Sequence, residues 1–417
     1  MKKIFTLALA FVSLLLQAQQ TKILWLGNSY TSVNNLPKMF HDLALSGGDS
    51  IIYDSNTPGG YTFNQHSVNA TTIQKIYSQQ WDYVVLQAQS QEPSFPPSQV
   101  QTETFPYART LDSLIHDNDS CTKTVFYMTW GKKYGDQANC ASYPAICTFE
   151  GVTDRLRDSY LQMANENSAL VAPAGMAWFA SWHTDTLINL WQADNSHPTI
   201  AGSYLTSCVF YETIFRKSPL GLSYSPIAIQ ATTDFLQNIA HTTVFDSLAN
   251  WNIGSFDVKA NFSFAGNEAT QIYSFNNLSQ NFTSYQWSFG DGNFSSSNGT
   301  HTYTDTGTYT ATLIAFDNCG NSDTSSQIFT IHAITTGINS QEEEAITVYP
   351  NPVKDELLIS GLKFSSGNNR LEIYDVTGNR IAEVYLQTVD IKIKTVNWQP
   401  GIYFLRLGGL SKKLVKL

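Results

Sequence analysis

Ser29 stands in the small-residue turn Gly27-Asn28-Ser29, directly after the apolar run Ile23-Leu24-Trp25-Leu26. A turn there puts the serine at the carboxyl end of a strand, where open α/β sheets hold their ligands. A helix following it would offer N-terminal N–H groups to a developing anion, although the same position also suits a plain helix cap. Much further along comes Asp194-Asn195-Ser196-His197-Pro198. An acid three residues before a histidine, on a turn, lets the carboxylate reach the ring Nδ1. The other ring nitrogen can then take a proton from a hydroxyl. Alone, this pair could equally be a surface cap. Together the segments complete a set for nucleophilic acyl transfer: Ser29, Asp194 and His197.

The elements that must position these residues follow from hydrophobic spacing. Ile23–Leu26, Ile51–Tyr53, Tyr83–Leu86, Thr124–Met128 and Ala169–Val171 read as short buried strands. Longer periodic stretches lie between them, such as Val152–Asn165, and Pro37 and Pro198 suit the first turns of helices. Strands alternating with helices predict an α/β domain with a parallel sheet covered on both faces. After about residue 255 the helical period disappears. Tyr285–Phe289 alternates and turns at Gly290-Asp291-Gly292, and Thr308–Ile314 alternates again, which predicts a small β-sandwich. The charge run Glu342-Glu343-Glu344 marks a solvated linker. Residues 346–417 read as a third, all-β unit.

The first and last chemical segments resemble the outer motif blocks of the SGNH (GDSL-like) hydrolases, over about residues 21 to 220. The resemblance implies a flavodoxin-like three-layer α/β/α fold and hydrolysis of acyl esters, with Ser29 as nucleophile and His197 and Asp194 completing the triad. This sequence has Asn28 where that family usually has Asp. The resemblance also implies an oxyanion hole made by the N–H of Ser29, a glycine N–H and an amide side chain. Gly60 (or Gly59) in Pro58-Gly59-Gly60 is the glycine candidate. The family's Gly-x-Asn-Asp block is replaced by Gln87-Ala88-Gln89-Ser90-Gln91, in which Gln89 falls best in register and Gln87 and Gln91 are substitutes. A glutamine amide donates as asparagine's does, from one methylene further out. The loop Trp130–Asp136 follows the fourth strand, and either lines the substrate groove or is a solvated loop. His183 and His41 read as ordinary surface histidines.

Residues 256–334 resemble a PKD domain, on Tyr285–Gly292, His301-Thr302-Tyr303 and Gly307–Leu313; there the Trp is core and the Gly-Asp-Gly a turn. Residues 346–417 resemble the C-terminal sorting domain read by the type IX secretion machinery of Bacteroidetes, on Val348–Pro352, Ile373–Gly378, Gly401–Leu405 and the ending Lys412–Leu417. Lys2 and Lys3 followed by the apolar run Ile4–Leu16 and Gln17-Ala18-Gln19 read as a signal peptide ending at Ala18. That run is short of the roughly 20 residues a membrane span needs. The expected organisation is a signal peptide (1–18), a catalytic domain (20–255), the PKD-like module (256–334), a linker (335–345) and the sorting domain (346–417). The expected destination is the cell surface or medium, by way of the periplasm, with no transmembrane segment in the mature chain.

Composition narrows the function further. The chain has 417 residues, 42% hydrophobic and 14% charged, with a net charge of -10. That is enough apolar matter for real cores, and the acidic balance argues against a nucleic-acid binder. No Cys/His spacing suggests zinc and no glycine-rich loop suggests a phosphate cradle, so no cofactor or metal is expected. Of the 5 Cys, Cys140 and Cys147 enclose an irregular loop and are expected to pair. Cys121 and Cys208 read as buried thiols, and Cys319 has no partner within its own module. The leading expectation is a secreted serine esterase acting on acyl, especially acetyl, groups of carbohydrate. The alternatives are a catalytically inactive glycan-binding or adhesion protein, and a lipase or thioesterase with the same triad.

Overall fold

The computed structural model describes residues 20–332, 346–361, 370–386, 388–407 and 410–417. The signal-peptide segment 1–18 and the linker 335–345 lie outside the described residues. Five strands, β1 (Thr21–Leu26), β2 (Ile51–Asn56), β3 (Tyr83–Leu86), β4 (Lys123–Tyr127) and β5 (Leu170–Ala172), form one sheet in the order β2-β1-β3-β4-β5. Every pairing is parallel. The strands are apolar through their centres because both faces are covered. Helices Leu36–Ser46, Ala174–Thr184, Ile200–Phe215 and Gln230–Val244 pack together on one side; Phe63–Val68, Ala70–Ile76, Phe105–Asn118 and Phe149–Glu166 form the other layer. Helix Ile200–Phe215 is buried almost all round, as its run of small, apolar and hydroxyl-bearing residues favours, with Glu212 as a buried acid near its end. This is a flavodoxin-like three-layer domain. Its strand order reverses between β1 and β3, the place at which open α/β sheets hold their ligands.

Residues from Val258 onward build two antiparallel sheets. One has the order Gly299–Thr302, Ile272–Asn277, Phe262–Asn267; the other runs Ser322–Ile331, Gly307–Phe316, Ser284–Ser288, Phe294–Ser295. Trp287 is fully buried between them, with Phe262, Phe275 and Tyr303 around it. The C-terminal unit is likewise two antiparallel sheets, around Leu357, Ile359, Leu371, Ile373, Leu405 and Leu414.

The cysteines depart from expectation at one point. Cys140 and Cys147 are bonded and Cys208 is a buried free thiol, but Cys121 is no buried thiol: it is bonded to Cys319, 198 residues away. Its partner lies in the following β-sandwich, so no spacing within either module could reveal the pair. The link sits at the amino-terminal edge of the parallel sheet, just before β4. Beside it Asp257 accepts from Lys123 at 3.2 Å and from Arg216. The Arg216 hydrogen bond overcomes partial burial and holds the Asp257 carboxyl at about 2.

Two expected results follow. A cross-link closing so long a loop should contribute about 2–4 kcal/mol, more than one closing a short loop. Cys121→Ser should therefore lower the melting temperature by several degrees, whereas Cys140→Ser should act locally; scanning calorimetry of the two variants compares them. Asp257 has a lowered folded-state pKa, so the stability it contributes is complete above the ordinary carboxylate range, about 4, and is lost as pH falls towards 2. Acid-unfolding curves of Asp257→Asn should lack that part of the slope.

Candidate active site

Ser29 opens a single-turn helix, Ser29–Ser32, immediately beyond β1. Gly27 is required in the approach: a Cβ there would lie 2.6 Å from Thr31 Oγ1 and 2.7 Å from Gln87 Oε1. Asn28 caps the turn, its Oδ1 accepting from the Tyr30 N–H at 3.1 Å. His66, fully buried, reaches across to the Gly27 carbonyl through Nε2 at 2.9 Å. Burial lowers the His66 pKa, more than the Gly27 contact raises it.

The second half of the site is the turn before helix Ile200–Phe215. Asn195 adopts φ 59°, a left-handed conformation that asparagine tolerates. The fold-back lets Asp194 Oδ1 accept from the N–H groups of Ser196 and His197, each at 3.0 Å. Its Oδ2 meets His197 Nδ1 at 2.5 Å. Burial would raise the Asp194 pKa, but the hydrogen bonds from the His197 ring and the two N–H groups outweigh it and hold the carboxyl below the usual range. An ionised carboxylate only accepts, so Nδ1 carries the proton and Nε2 is the acceptor. That Nε2 lies 2.9 Å from Ser29 Oγ. The structure thus brings Ser29, His197 and Asp194, separated by 165 residues or more from serine to acid, into one hydrogen-bonded line at the carboxyl edge of the sheet.

The three glutamines divide clearly. Gln87 is fully buried; its Oε1 accepts from Asn28 N and Thr31 Oγ1, both at 2.9 Å, and its Nε2 donates to the Ala88 carbonyl. Gln91 Nε2 donates to Asp136 at 2.9 Å. Gln89 is half-buried and accepts, through Oε1, from the N–H groups of Gln91 at 2.7 Å and Glu92 at 3.1 Å. Two N–H donors on one amide atom identify it as the oxygen, and its Nε2 makes one long contact within the same loop, with Ser90 Oγ at 3.5 Å. Gly60 has φ 72° in a turn closed by the Tyr61 N–H on the Pro58 carbonyl at 3.3 Å. Both Gly59 and Gly60 are exposed.

The loop after β4 does not line a groove at its ends. Trp130 is buried, stacked between Tyr30 and Trp178, and donates Nε1 to the Ser196 carbonyl at 3.0 Å. Tyr30, its phenol pushed up to about 12 by burial, meets Ser196 Oγ at 2.6 Å and presents its edge to His197. These aromatics fix the histidine turn from behind. Asp136 is also buried and joins Gln91 and Asn139 to the bonded Cys140–Cys147 loop. None of Tyr30, Trp130, Asp136 or His66 carried a sequence signal for these roles, because each acts through tertiary contacts. His183 caps its own helix through Nδ1 on the Phe179 carbonyl at 2.8 Å, and His41 contacts Asp42.

A second Ser/His/acid cluster shows why composition alone is insufficient. Ser218 Oγ at 3.2 Å and Glu212 Oε1 at 3.0 Å both meet the same nitrogen, Nδ1 of His241. Burial raises the Glu212 carboxyl to about 9. A relay needs the two ring nitrogens on opposite partners, and this cluster lacks it.

Two stretches of the chain match known families. Residues 258–332 match the PKD domain family, and residues 347–417 match the secretion system C-terminal sorting domain. The two trailing modules are a PKD domain and a sorting domain. No curated protein matches the chain. Among solved structures, the chain is similar to a DUF4886 family protein from Bacteroides uniformis, at 16% identity and a TM-score of 0.46, covering 54% of this chain and 95% of that one. It is similar also to a protein from Slackia heliotrinireducens assigned to the SGNH hydrolases, at 26% identity and a TM-score of 0.38, covering 46% of this chain and 98% of the other. The PKD domain is similar to the PKD1 domain of a Vibrio cholerae metalloprotease, PrtV, at 32% identity and a TM-score of 0.17, covering 18% of this chain and 95% of that one.

The PKD domain meets the first domain along Thr21, Asp82, Tyr83 and Lys123, at or beside the starts of the strands. Ser29 and His197 stand at the opposite edge. The sorting domain implies export and a secreted or cell-surface location. Among the described residues no helix is long and apolar enough to cross a membrane.

Proposed function

We propose that the first domain is a serine esterase, exported through the type IX secretion machinery, that hydrolyses acyl esters, with acetyl groups on carbohydrate as its substrate class. The observation that carries this reading is the line Ser29 Oγ–His197 Nε2–His197 Nδ1–Asp194, at 2.9 and 2.5 Å. Ser29 Oγ attacks the ester carbonyl carbon as its proton passes to His197 Nε2. The tetrahedral oxyanion is received by the N–H groups of Ser29 and Gly60 and the Nε2 of Gln89. Collapse breaks the bond to the alcohol, which takes the proton from His197, and leaves Ser29 acylated. Water then attacks the acyl-enzyme, again giving its proton to His197, and the acid departs as Ser29 recovers its hydrogen. Asp194 stays ionised and holds the imidazole in register. The carbohydrate preference is supported by the exported setting, where deacetylation opens polysaccharides to other enzymes.

The test uses the full mature chain with a fluorophosphonate probe, then a panel of p-nitrophenyl esters of increasing acyl length and acetylated glycans. Labelling mapped to Ser29 and a preference for acetyl are the expected outcomes. Labelling with a preference for long acyl chains would point to a lipase or thioesterase. No labelling and no turnover would leave a glycan-binding protein as the better reading.

A further inference from the structure

We infer that Asn28 is a positioning residue that ties the Gly59-Gly60 turn to the nucleophile, and that its amide, as distinct from a carboxylate, is what the site requires at this position. The inference rests on the esterase reading above and adds a residue to it.

Asn28 is 2% exposed, and each of its polar groups is engaged. Its N–H donates to Gln87 Oε1 at 2.9 Å, beyond the end of β3. Its carbonyl accepts from the N–H groups of Thr31 at 2.9 Å and Ser32 at 3.0 Å. Its Oδ1 accepts from Tyr30 N, as above. Its Nδ2 donates to the carbonyl of Tyr61 at 3.1 Å, one residue beyond Gly60. One side chain therefore spans from the first turn of the nucleophile helix to the loop that carries the proposed oxyanion N–H.

The glycine turn has little else to hold its tip. Gly59 and Gly60 are exposed, and a Cβ on either would meet nothing within 4 Å. The nearest further ties are on Tyr61 itself: its hydroxyl accepts from Asn69 Nδ2 at 3.2 Å, and its ring meets His66 edge-on. A donor used in a transition state must be fixed before the charge develops, because reorganisation at that moment adds to the barrier. The Asn28 amide supplies that fixation from the nucleophile's own cap.

The chemistry of the two Asn28 atoms is not interchangeable. Oδ1 must accept and Nδ2 must donate. A carboxylate of the same shape can keep the cap to Tyr30 but sets a second oxygen, negatively charged, against the Tyr61 carbonyl. The Tyr61 segment would withdraw.

The experiment compares Asn28→Asp, Asn28→Ser and Gly60→Ala, singly and as Asn28→Asp/Gly60→Ala, in the full mature chain with p-nitrophenyl acetate. Asn28→Ser retains a capping oxygen but cannot reach Tyr61. The expected result for each Asn28 variant is a fall in kcat of about 10- to 100-fold, part of what a lost oxyanion donor costs, with KM within about twofold in a chain that circular dichroism shows to be folded. The double variant should lose less than the product of the single losses, because both changes act on one loop. Full kcat in Asn28→Asp, or in Asn28→Ser where the aspartate variant does not fold, would overturn the inference, as would strictly multiplicative losses. Ser29→Ala run alongside separates the two levels. If it is inactive while the Asn28 variants are unimpaired, only the tether is wrong; if it is active, the esterase reading itself fails.

Discussion

Ser29→Ala and His197→Ala are each expected to abolish nearly all ester turnover, a loss on the order of 10⁴-fold or more, with the fold intact. The size follows from what each removal does. Without Oγ no acyl-enzyme can form, and water must attack directly in a site shaped for a serine. Without the imidazole the hydroxyl keeps its proton and the leaving alcohol receives none. Asp194→Asn should cost comparably or somewhat less. Its amide can still contact Nδ1, but an Nδ1–H partner is no longer met by a charge, and the wrong tautomer becomes competitive. Combining two of these changes should add little, since the residues act as a unit. Steady-state kinetics with p-nitrophenyl acetate measures all of this, and circular dichroism checks the fold. Full activity in Ser29→Ala, or a probe adduct on another serine, would remove the assignment.

Gln89→Ala carries the second large effect: kcat should fall about 10²–10³-fold with little change in KM. The competing glutamines define the contrast. Gln87 spends its oxygen holding the nucleophile turn and its nitrogen on the Ala88 carbonyl, and Gln91 spends its nitrogen on Asp136. Gln89 alone among them has its oxygen fixed by two backbone N–H groups, while its nitrogen has nothing tighter than Ser90 Oγ at 3.5 Å. An amide held in that way is set before the substrate arrives. Gln91→Ala should therefore impair activity less, and Gln87→Ala should show as lost stability as well as lost rate. A raised KM with unchanged kcat in Gln89→Ala would mean that it binds the ground-state ester and leaves the oxyanion to other donors.

Much of the fold could be read locally. The runs around Trp25, Val84–Val85 and Val125–Phe126 are apolar because both sheet faces are covered, and that pattern survives in any four-residue window. Boundaries slid by one residue at β4 and β5, where flanking small or polar residues give no sharp stop. Ser29 and the Asp194–His197 pair stood out because a strand end and a short turn are local features. What the sequence withheld were the contacts between distant segments that no motif announces. Trp130 looked like a loop residue, since nothing nearby in sequence announces Tyr30 and Trp178 on its two faces. The choice among Gln87, Gln89 and Gln91 depends on which backbone and side-chain groups meet each amide. Cys121 looked like a core thiol because its partner belongs to another module.

That partnership has a consequence for life outside the cell. The backbone joins the first domain to the PKD domain through one stretch, around residues 252–258. Both cysteines lie on opposite sides of it, so a single cleavage there opens a ring without separating the pieces. A nicked chain would keep its first domain covalently joined to the modules that follow until the cystine was reduced.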